Sequence, residues 1–164
     1  MRHMRAYIWI KIYCPIWSFI VNLTYWLIRL NKLKSIFYEK ENLKNSIKTV
    51  DDIKRSLSEF QWTSDKIKDW FPWVITLINN NYKDDCDGAA ILSKFLFEQI
   101  GIIGKILSLL GEETCHAIFI STDKKYMATN NIIIEGNWTN DKILSYFNDK
   151  YNRIIKWDVN YEII

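Results

Sequence analysis

The sequence is poor in the residues that build disulfide scaffolds and metal centres. It contains three cysteines and two histidines, and no CxxC or HxxxH spacing accompanies them. An odd number of widely separated cysteines argues against a disulfide framework, and two histidines are too few for a zinc cluster. We therefore expect neither a bound metal nor a cofactor.

The sequence also lacks a strong charge of either sign. Its 22 basic and 19 acidic residues give a net charge of +3 and are scattered along the chain. This balance does not predict the concentrated basic surface that a nucleic-acid-binding domain needs, so we expect no DNA or RNA partner. Hydrophobic residues make up 49% of the 164 positions, which is enough for one domain with a real core.

A long uncharged stretch lies near the N-terminus. Residues 12–28 carry no charge, and basic residues flank them on both sides. As a helix this stretch would measure about 25 Å, slightly less than the ~30 Å hydrocarbon core of a bilayer. On a helical wheel it has a broad apolar side and a polar stripe. The apolar side comprises Ile16, Phe19, Ile20, Leu23, Trp26, Leu27 and Leu30, and the polar stripe comprises Ser18, Asn22, Tyr25, Arg29 and Lys32.

This amphipathic pattern leaves three interpretations open. The helix packs on the domain or on a partner protein, it lies in a membrane interface, or it is a spanning anchor or an uncleaved signal. We assign residues 1–45 to an N-terminal amphipathic helical segment and residues 46–164 to the main domain. A membrane surface or a protein partner is expected at residues 12–30, and the location is expected to be the cytoplasm or a larger assembly.

The remaining sequence alternates between helical and extended patterns. Thr49 is a predicted N-cap for a helix that reaches about Glu59, and residues 60–62 form a short extended piece. Further helices are predicted at 66–78, with a break at Pro72, at 85–100 and at 140–148. Period-two patterns predict strands at 115–121, 126–135 and 153–163. The fold class is therefore α+β, with helices packed on a small antiparallel sheet.

Cys86 is the first candidate for chemistry, because it lies in the first turn of the helix predicted from Asp85. A helix N-terminus stabilises a thiolate and can receive an oxyanion. The acidic neighbours Asp84, Asp85 and Asp87 oppose this effect, although we expect Asp85 and Asp87 to act as cap and surface residues. The alternative is that Cys86 is a small buried hydrophobic residue.

His116 is the second candidate, and its predicted position in a hairpin suggests a partner. If the chain turns tightly at Asp123 and Lys124, residues whose numbers add up to 247 face each other, and His116 faces Asn131. Directly opposed residues of neighbouring strands have Cβ atoms about 5 Å apart, so the asparagine amide can hydrogen-bond to the imidazole and orient it. A register shift of one residue would place Asn130 there instead, and His116 could also be a hydrogen-bonded core histidine without a catalytic role.

These residues resemble the transglutaminase-like cysteine hydrolases, which have a papain-like fold. The run from Asp84 to Ala90 is similar to the nucleophile signature of that family, and Cys115-His116-Ala117 is similar to its histidine strand. The stretch from Phe60 to Asp65 resembles the aromatic strand upstream of the nucleophile. The chain departs from the family pattern in two places. Asp84 stands where a glycine is expected, and the residue that would orient His116 is an asparagine, whereas an aspartate is commoner in the family.

The resemblance implies a Cys86, His116 and Asn131 triad that acts on an amide or ester carbonyl. His116 takes the thiol proton, Cys86 attacks, and the Cys86 N–H donates to the oxyanion. The expected activity is that of a cysteine hydrolase or acyltransferase with a protein or peptide-like substrate. The alternative is a catalytically inactive domain of the same fold that serves as a structural or assembly protein and docks through its N-terminal helix.

Overall fold

The computed structural model describes residues 14–28, 33–63, 72–110, 115–151 and 158–163. Within them the chain forms six helices and seven strands, which confirms a mixed α+β fold. The helices are α1 (Cys14–Ile28), α2 (Leu33–Ser46), α3 (Val50–Ser58), α4 (Val74–Asn79), α5 (Cys86–Gln99) and α6 (Asn140–Tyr151). The strands are β1 (Gln61–Trp62), β2 (Lys83–Asp84), β3 (Gly104–Leu110), β4 (Cys115–Ser121), β5 (Tyr126–Thr129), β6 (Ile132–Glu135) and β7 (Asp158–Ile163).

Five strands form one antiparallel sheet in the order β6-β5-β4-β3-β7, and β1 pairs with β2 in a separate parallel pair. Strand β4 lies at the centre of the large sheet. Its side chains alternate between two hydrophobic clusters, because successive residues of a strand point to opposite faces. The sheet is thus covered on both faces.

Helix α5 covers one face of the sheet and α6 covers the other. On the α5 face, Leu96 and Phe97 pack with Phe119, and the rings of Phe97 and Phe119 stack at 4.8 Å between centroids. On the α6 face, Phe147 belongs to the same buried cluster as Ile118. The predicted alternation along β4 is therefore confirmed.

The hairpin between β4 and β5 has the predicted register. Phe119 faces Ala128 and Ile120 faces Met127, so the paired numbers add up to 247. The turn is the tight one, because Lys124 adopts a left-handed conformation and its N–H donates to the carbonyl of Ser121 at 2.8 Å.

The strand predicted at 126–135 is divided in two, and the prediction of one continuous strand was wrong. The chain reverses after β5 at residues 130–131, and β6 returns along β5 with Thr129 opposite Ile132. Asn130 takes a positive φ of 51° in this two-residue turn. Asparagine tolerates the left-handed conformation because its short side chain hydrogen-bonds locally, so two consecutive asparagines favour a turn.

The predicted helix boundaries agree closely with those of α3 and α5. Thr49 caps α3 in a reciprocal capping box with Asp52, as expected from an oxygen-bearing N-cap residue. Residues 64–71 lie outside the described residues, so the helix predicted at 66–78 is seen only as α4, which begins two residues after Pro72.

Ser18 and Asn22, two members of the polar stripe of α1, are turned inward. Asn22 is completely buried, and its Oδ1 accepts hydrogen bonds from Trp73 N–H at 2.8 Å and from the Thr76 hydroxyl at 2.6 Å. These contacts cap the N-terminus of α4, which has no cap from its own N-cap side chain. Four residues of the apolar side of α1 are exposed, namely Ile16, Phe19, Ile20 and Leu27. No helix in the described ranges is long and apolar enough to cross a membrane.

Candidate functional site

Cys86 is the first residue of α5, as the sequence predicts. Its N-cap is Asp85, whose carboxylate accepts a hydrogen bond from the Asp87 N–H at 3.2 Å. The Cys86 side chain is half-buried. A thiol in this position lies in the positive end of the helix dipole and remains accessible to a small reactant.

A close contact between Asp84 and Gly88 shapes the start of α5. Asp84 ends β2 and is buried, and its Oδ1 accepts from the Asp85 N–H at 2.9 Å. A Cβ atom added to Gly88 would lie 2.5 Å from the Cβ of Asp84, which is too close for any real contact. The first turn of α5 therefore needs glycine at 88, because the side chain of Asp84 occupies the space that a Cβ atom at 88 would need.

His116 lies on β4 and points to the α6 face of the sheet. It is 9% exposed, and its ring centroid is 5.4 Å from that of Phe147. The Nε2 atom lies 2.8 Å from the hydroxyl oxygen of Thr129, the last residue of β5. This contact fixes one nitrogen of the imidazole.

The backbone of β4 brings Cys86 next to His116. Ala117 N–H donates a hydrogen bond to Cys86 Sγ at 3.4 Å, and Ala117 directly follows His116 in the chain. Backbone geometry then puts the sulfur within about 6 Å of the His116 Cα.

The sulfur occupies a place that β5 leaves open. The pairs between β4 and β5 are at Phe119 and Ile120, so Ala117 lies beyond the paired stretch. Because backbone N–H groups of a strand lie in the plane of the sheet, a sulfur bound there is between the two faces. Cys86 belongs to α5, which covers one face of the sheet. Its sulfur thereby comes close to His116, whose side chain points to the other face.

We expected Asn131 to lie on β5 directly opposite His116, but it does not. Strand β5 ends at Thr129, and Asn131 is an exposed residue of the following turn. The Oδ1 atom of Asn130 is buried and has no hydrogen-bond partner among the described residues, so the alternative register does not join it to the histidine either. Strand β5 ends one residue before Asn130 and two residues before Asn131, so neither asparagine continues the strand.

Thr129 is the residue that sequence reasoning missed. It lies on the α6 face with Met127, is 2% exposed and contacts the imidazole directly. The missed signal was the Asn130-Asn131 pair, which predicts a turn and makes Thr129 the last strand residue in reach of the histidine.

Three carboxylates surround the start of α5 and form a group with the spacing of metal ligands. Oxygens of Asp84, Asp85 and Asp87 lie within 4.8 Å of one another. Asp85 is the cap that we predicted, but the prediction that Asp87 lies on the surface was wrong, because it is buried with 6% exposure. The cluster places negative charge beside Cys86, which disfavours a thiolate.

No family model, curated protein or solved structure matches the chain. The site is therefore defined by contacts within this chain alone.

Proposed function

We propose that the chain is a cysteine-nucleophile hydrolase or acyltransferase that acts on an amide or peptide bond through an acyl-enzyme. The hydrogen bond from Ala117 to Cys86 Sγ carries this proposal, because it joins a thiol at a helix N-terminus to the residue after a buried histidine. A neighbouring base is what a thiol needs to act as a nucleophile at neutral pH.

In the proposed reaction, His116 is the base and Thr129 is the orienting residue. With Nε2 donating its proton to the Thr129 hydroxyl, Nδ1 carries the lone pair and takes the proton of the Cys86 thiol. The sulfur attacks the carbonyl carbon, and the imidazolium protonates the leaving amine as the C–N bond breaks. Water or a second amine then attacks the thioester, and Cys86 leaves as a thiolate that regains its proton.

The first turn of α5 supplies the proposed oxyanion donor. The N–H groups at the start of a helix have no acceptor within the helix and point outward at its positive end. The Asp87 N–H is bound by the Asp85 side chain, so we assign the oxyanion to the Cys86 N–H.

The proposal extends to a papain-like fold and a transglutaminase-like ancestry. The order of elements along the chain supports this ancestry: a cysteine at the start of a helix, then a histidine on a strand, then a strand that returns beside it. A protein or peptide-like substrate suits this chemistry, and we place the activity in the cytoplasm or in a larger assembly.

Two observations favour the alternative of an inactive structural or assembly domain. A threonine hydroxyl carries no charge, so it stabilises an imidazolium less than a carboxylate does, and three aspartates beside Cys86 oppose a thiolate. An inactive descendant of an enzyme with the same fold, which has lost the catalytic charges, would have these features.

The rate of Cys86 alkylation across pH tests the proposal. With iodoacetamide and peptide mapping, an activated thiol reacts at about pH 6.5 and its rate changes little up to about pH 8, whereas an ordinary thiol gains about tenfold per pH unit in that range. We expect the first profile for Cys86 and the second for Cys14.

Two histidine variants provide the matched comparison. His116→Ala should slow labelling of Cys86 at pH 6.5 by about tenfold or more, because the base is lost. His3→Ala changes the other histidine and should leave the rate unchanged. Equal labelling in both variants, or an ordinary thiol profile in the unmodified protein, would support the inactive alternative.

A further inference from the structure

The outward side of α1 is an exposed apolar surface. Ile16, Phe19, Ile20 and Leu27 are between 48% and 59% exposed. With 3.6 residues per turn they occupy an arc of roughly 100°. Apolar side chains that are exposed next to one another indicate a binding surface, whereas single exposed apolar residues are common on any protein.

Contacts on the opposite side of α1 fix this orientation. Asn22 is buried and caps α4, and Ser18, which is also buried, accepts the Asn22 amide through its carbonyl at 2.8 Å. Turning the apolar side toward the domain would take the Asn22 acceptor away from the Trp73 N–H and the Thr76 hydroxyl. Leaving such groups without a partner costs more free energy than a solvent-exposed hydrogen bond contributes. The helix is therefore held with its apolar side outward.

Aromatic residues extend the apolar surface. The Phe19 ring meets the Trp73 ring edge-on with 6.1 Å between centroids, and Trp73 is itself exposed. Tryptophan is the side chain that most favours the boundary between headgroups and acyl chains, because it joins an apolar body to a polar N–H.

The charge around α1 identifies what this surface binds. The first 38 residues contain six basic residues and no acidic one, while the other 126 contain 16 basic and 19 acidic residues. Basic residues are scattered along the chain, but the absence of acidic residues gives the part that carries the apolar surface a net positive charge, whereas the rest has a small net negative charge. Basic residues combined with an apolar helix side attract a surface of anionic lipid headgroups.

The one-sided exposure of α1 determines the binding mode. Ile16, Phe19, Ile20 and Leu27 are exposed on one side, while Ser18 and Asn22 are buried on the other, so the helix presents an apolar side only along one flank, as an interfacial helix does. We propose that α1 docks the protein on anionic membranes by lying in the interface, with Ile16, Phe19, Ile20 and Leu27 inserted among the acyl chains. This inference is independent of the chemistry proposed for Cys86.

Vesicle co-sedimentation of the full chain tests the inference. We expect binding to vesicles of phosphatidylcholine mixed with phosphatidylglycerol, weaker binding to phosphatidylcholine alone, and a loss of affinity as salt is raised. Ile20→Asp should lower the affinity for the anionic vesicles about tenfold or more, because it removes an exposed apolar side chain that inserts into the bilayer and adds a charge that the anionic headgroups repel.

Ile103→Asp is the matched control. Ile103 is an isoleucine with 71% exposure that lies just before β3, outside the N-terminal segment, and its substitution should leave vesicle binding unchanged. Circular dichroism and thermal unfolding check that both variants fold, which is expected because both side chains are exposed.

Three results would overturn the inference. The first is no binding of the unmodified protein to either vesicle, and the second is equal loss of binding in both variants. The third is concentration-dependent self-association that Ile20→Asp abolishes in a protein that ignores vesicles, which would assign the surface to a second copy of the chain.

Discussion

The hydroxyl oxygen of Thr129 lies 2.8 Å from Nε2 of His116, on the α6 face of the sheet and away from solvent. A buried hydroxyl at this distance holds the imidazole in one orientation, and it can accept the Nε2 proton in the tautomer that the proposed reaction uses. The site thus has a threonine in the position where we expected an asparagine.

Thr129→Val should slow Cys86 alkylation at pH 6.5 about tenfold, because valine has the same shape and cannot accept the Nε2 proton. Asn131→Ala is the control and should change the rate less than about twofold, since the Asn131 side chain is exposed in the turn. The reverse order of effects would restore Asn131 as the orienting residue. The measurement is the pseudo-first-order labelling rate of the Cys86 peptide.

Gly88→Ala should destabilise the protein by about 1–3 kcal/mol, because the new methyl group would lie 2.5 Å from the Cβ of Asp84. Adding Asp84→Gly removes that Cβ and should recover part of the loss. Urea unfolding of the single and double variants measures the coupling. Additive effects would show that the two residues do not compete for the same space.

Asn22→Ala should lower the free energy of unfolding by about 1–3 kcal/mol, because Trp73 N–H and the Thr76 hydroxyl lose their shared buried acceptor. Thr24→Ala is the control on the same helix, where an exposed hydroxyl donates only to the carbonyl of Ile20. Urea unfolding followed by circular dichroism compares the two. Similar stability of both variants would mean that α1 contributes little to the fold.

Asp52 should make a pH-dependent contribution to stability. The hydrogen bond from the Thr49 hydroxyl, aided by the Lys48 N–H, holds the pKa of Asp52 below its ordinary value of 3.8. A lowered pKa in the folded state means that the contribution is present above about pH 4 and is lost as the pH falls through the folded-state value.

Asp52→Asn should therefore be less stable than the unmodified protein at pH 7, and the difference should shrink as the pH is lowered below 3.8. Urea midpoints measured across this range give the comparison. Asp51→Asn is the control, because Asp51 also lies in the first turn of α3 but has no part in the capping box. A constant difference across pH would show that charge is not involved.

The sequence was most informative where one short turn or cap decided the local structure. The register of β4 and β5 followed from the turn at Asp123 and Lys124, and the start of α5 followed from an aspartate that could cap it. Such features depend on a few neighbouring residues, so they can be predicted without knowledge of the fold.

Features that depend on distant residues could not be predicted in the same way. The helical wheel of α1 separated an apolar side from a polar one, but only the backbone of Trp73 and the hydroxyl of Thr76 explain why Asn22, on the polar side, faces inward. The burial of Asp87 likewise depends on tertiary packing around the first turn of α5, since its charge and its helix position both predicted the surface.

The hydrogen bond between Ala117 N–H and Cys86 Sγ also provides a native spectroscopic reporter. A thiolate is a stronger acceptor than a thiol, so ionisation of Cys86 should move the Ala117 amide proton resonance downfield, and alkylation should move it upfield. One amide signal would thus follow the chemical state of the sulfur during a titration or a turnover. The substrate need not be known in advance, because any compound that acylates Cys86 would reveal itself at this position.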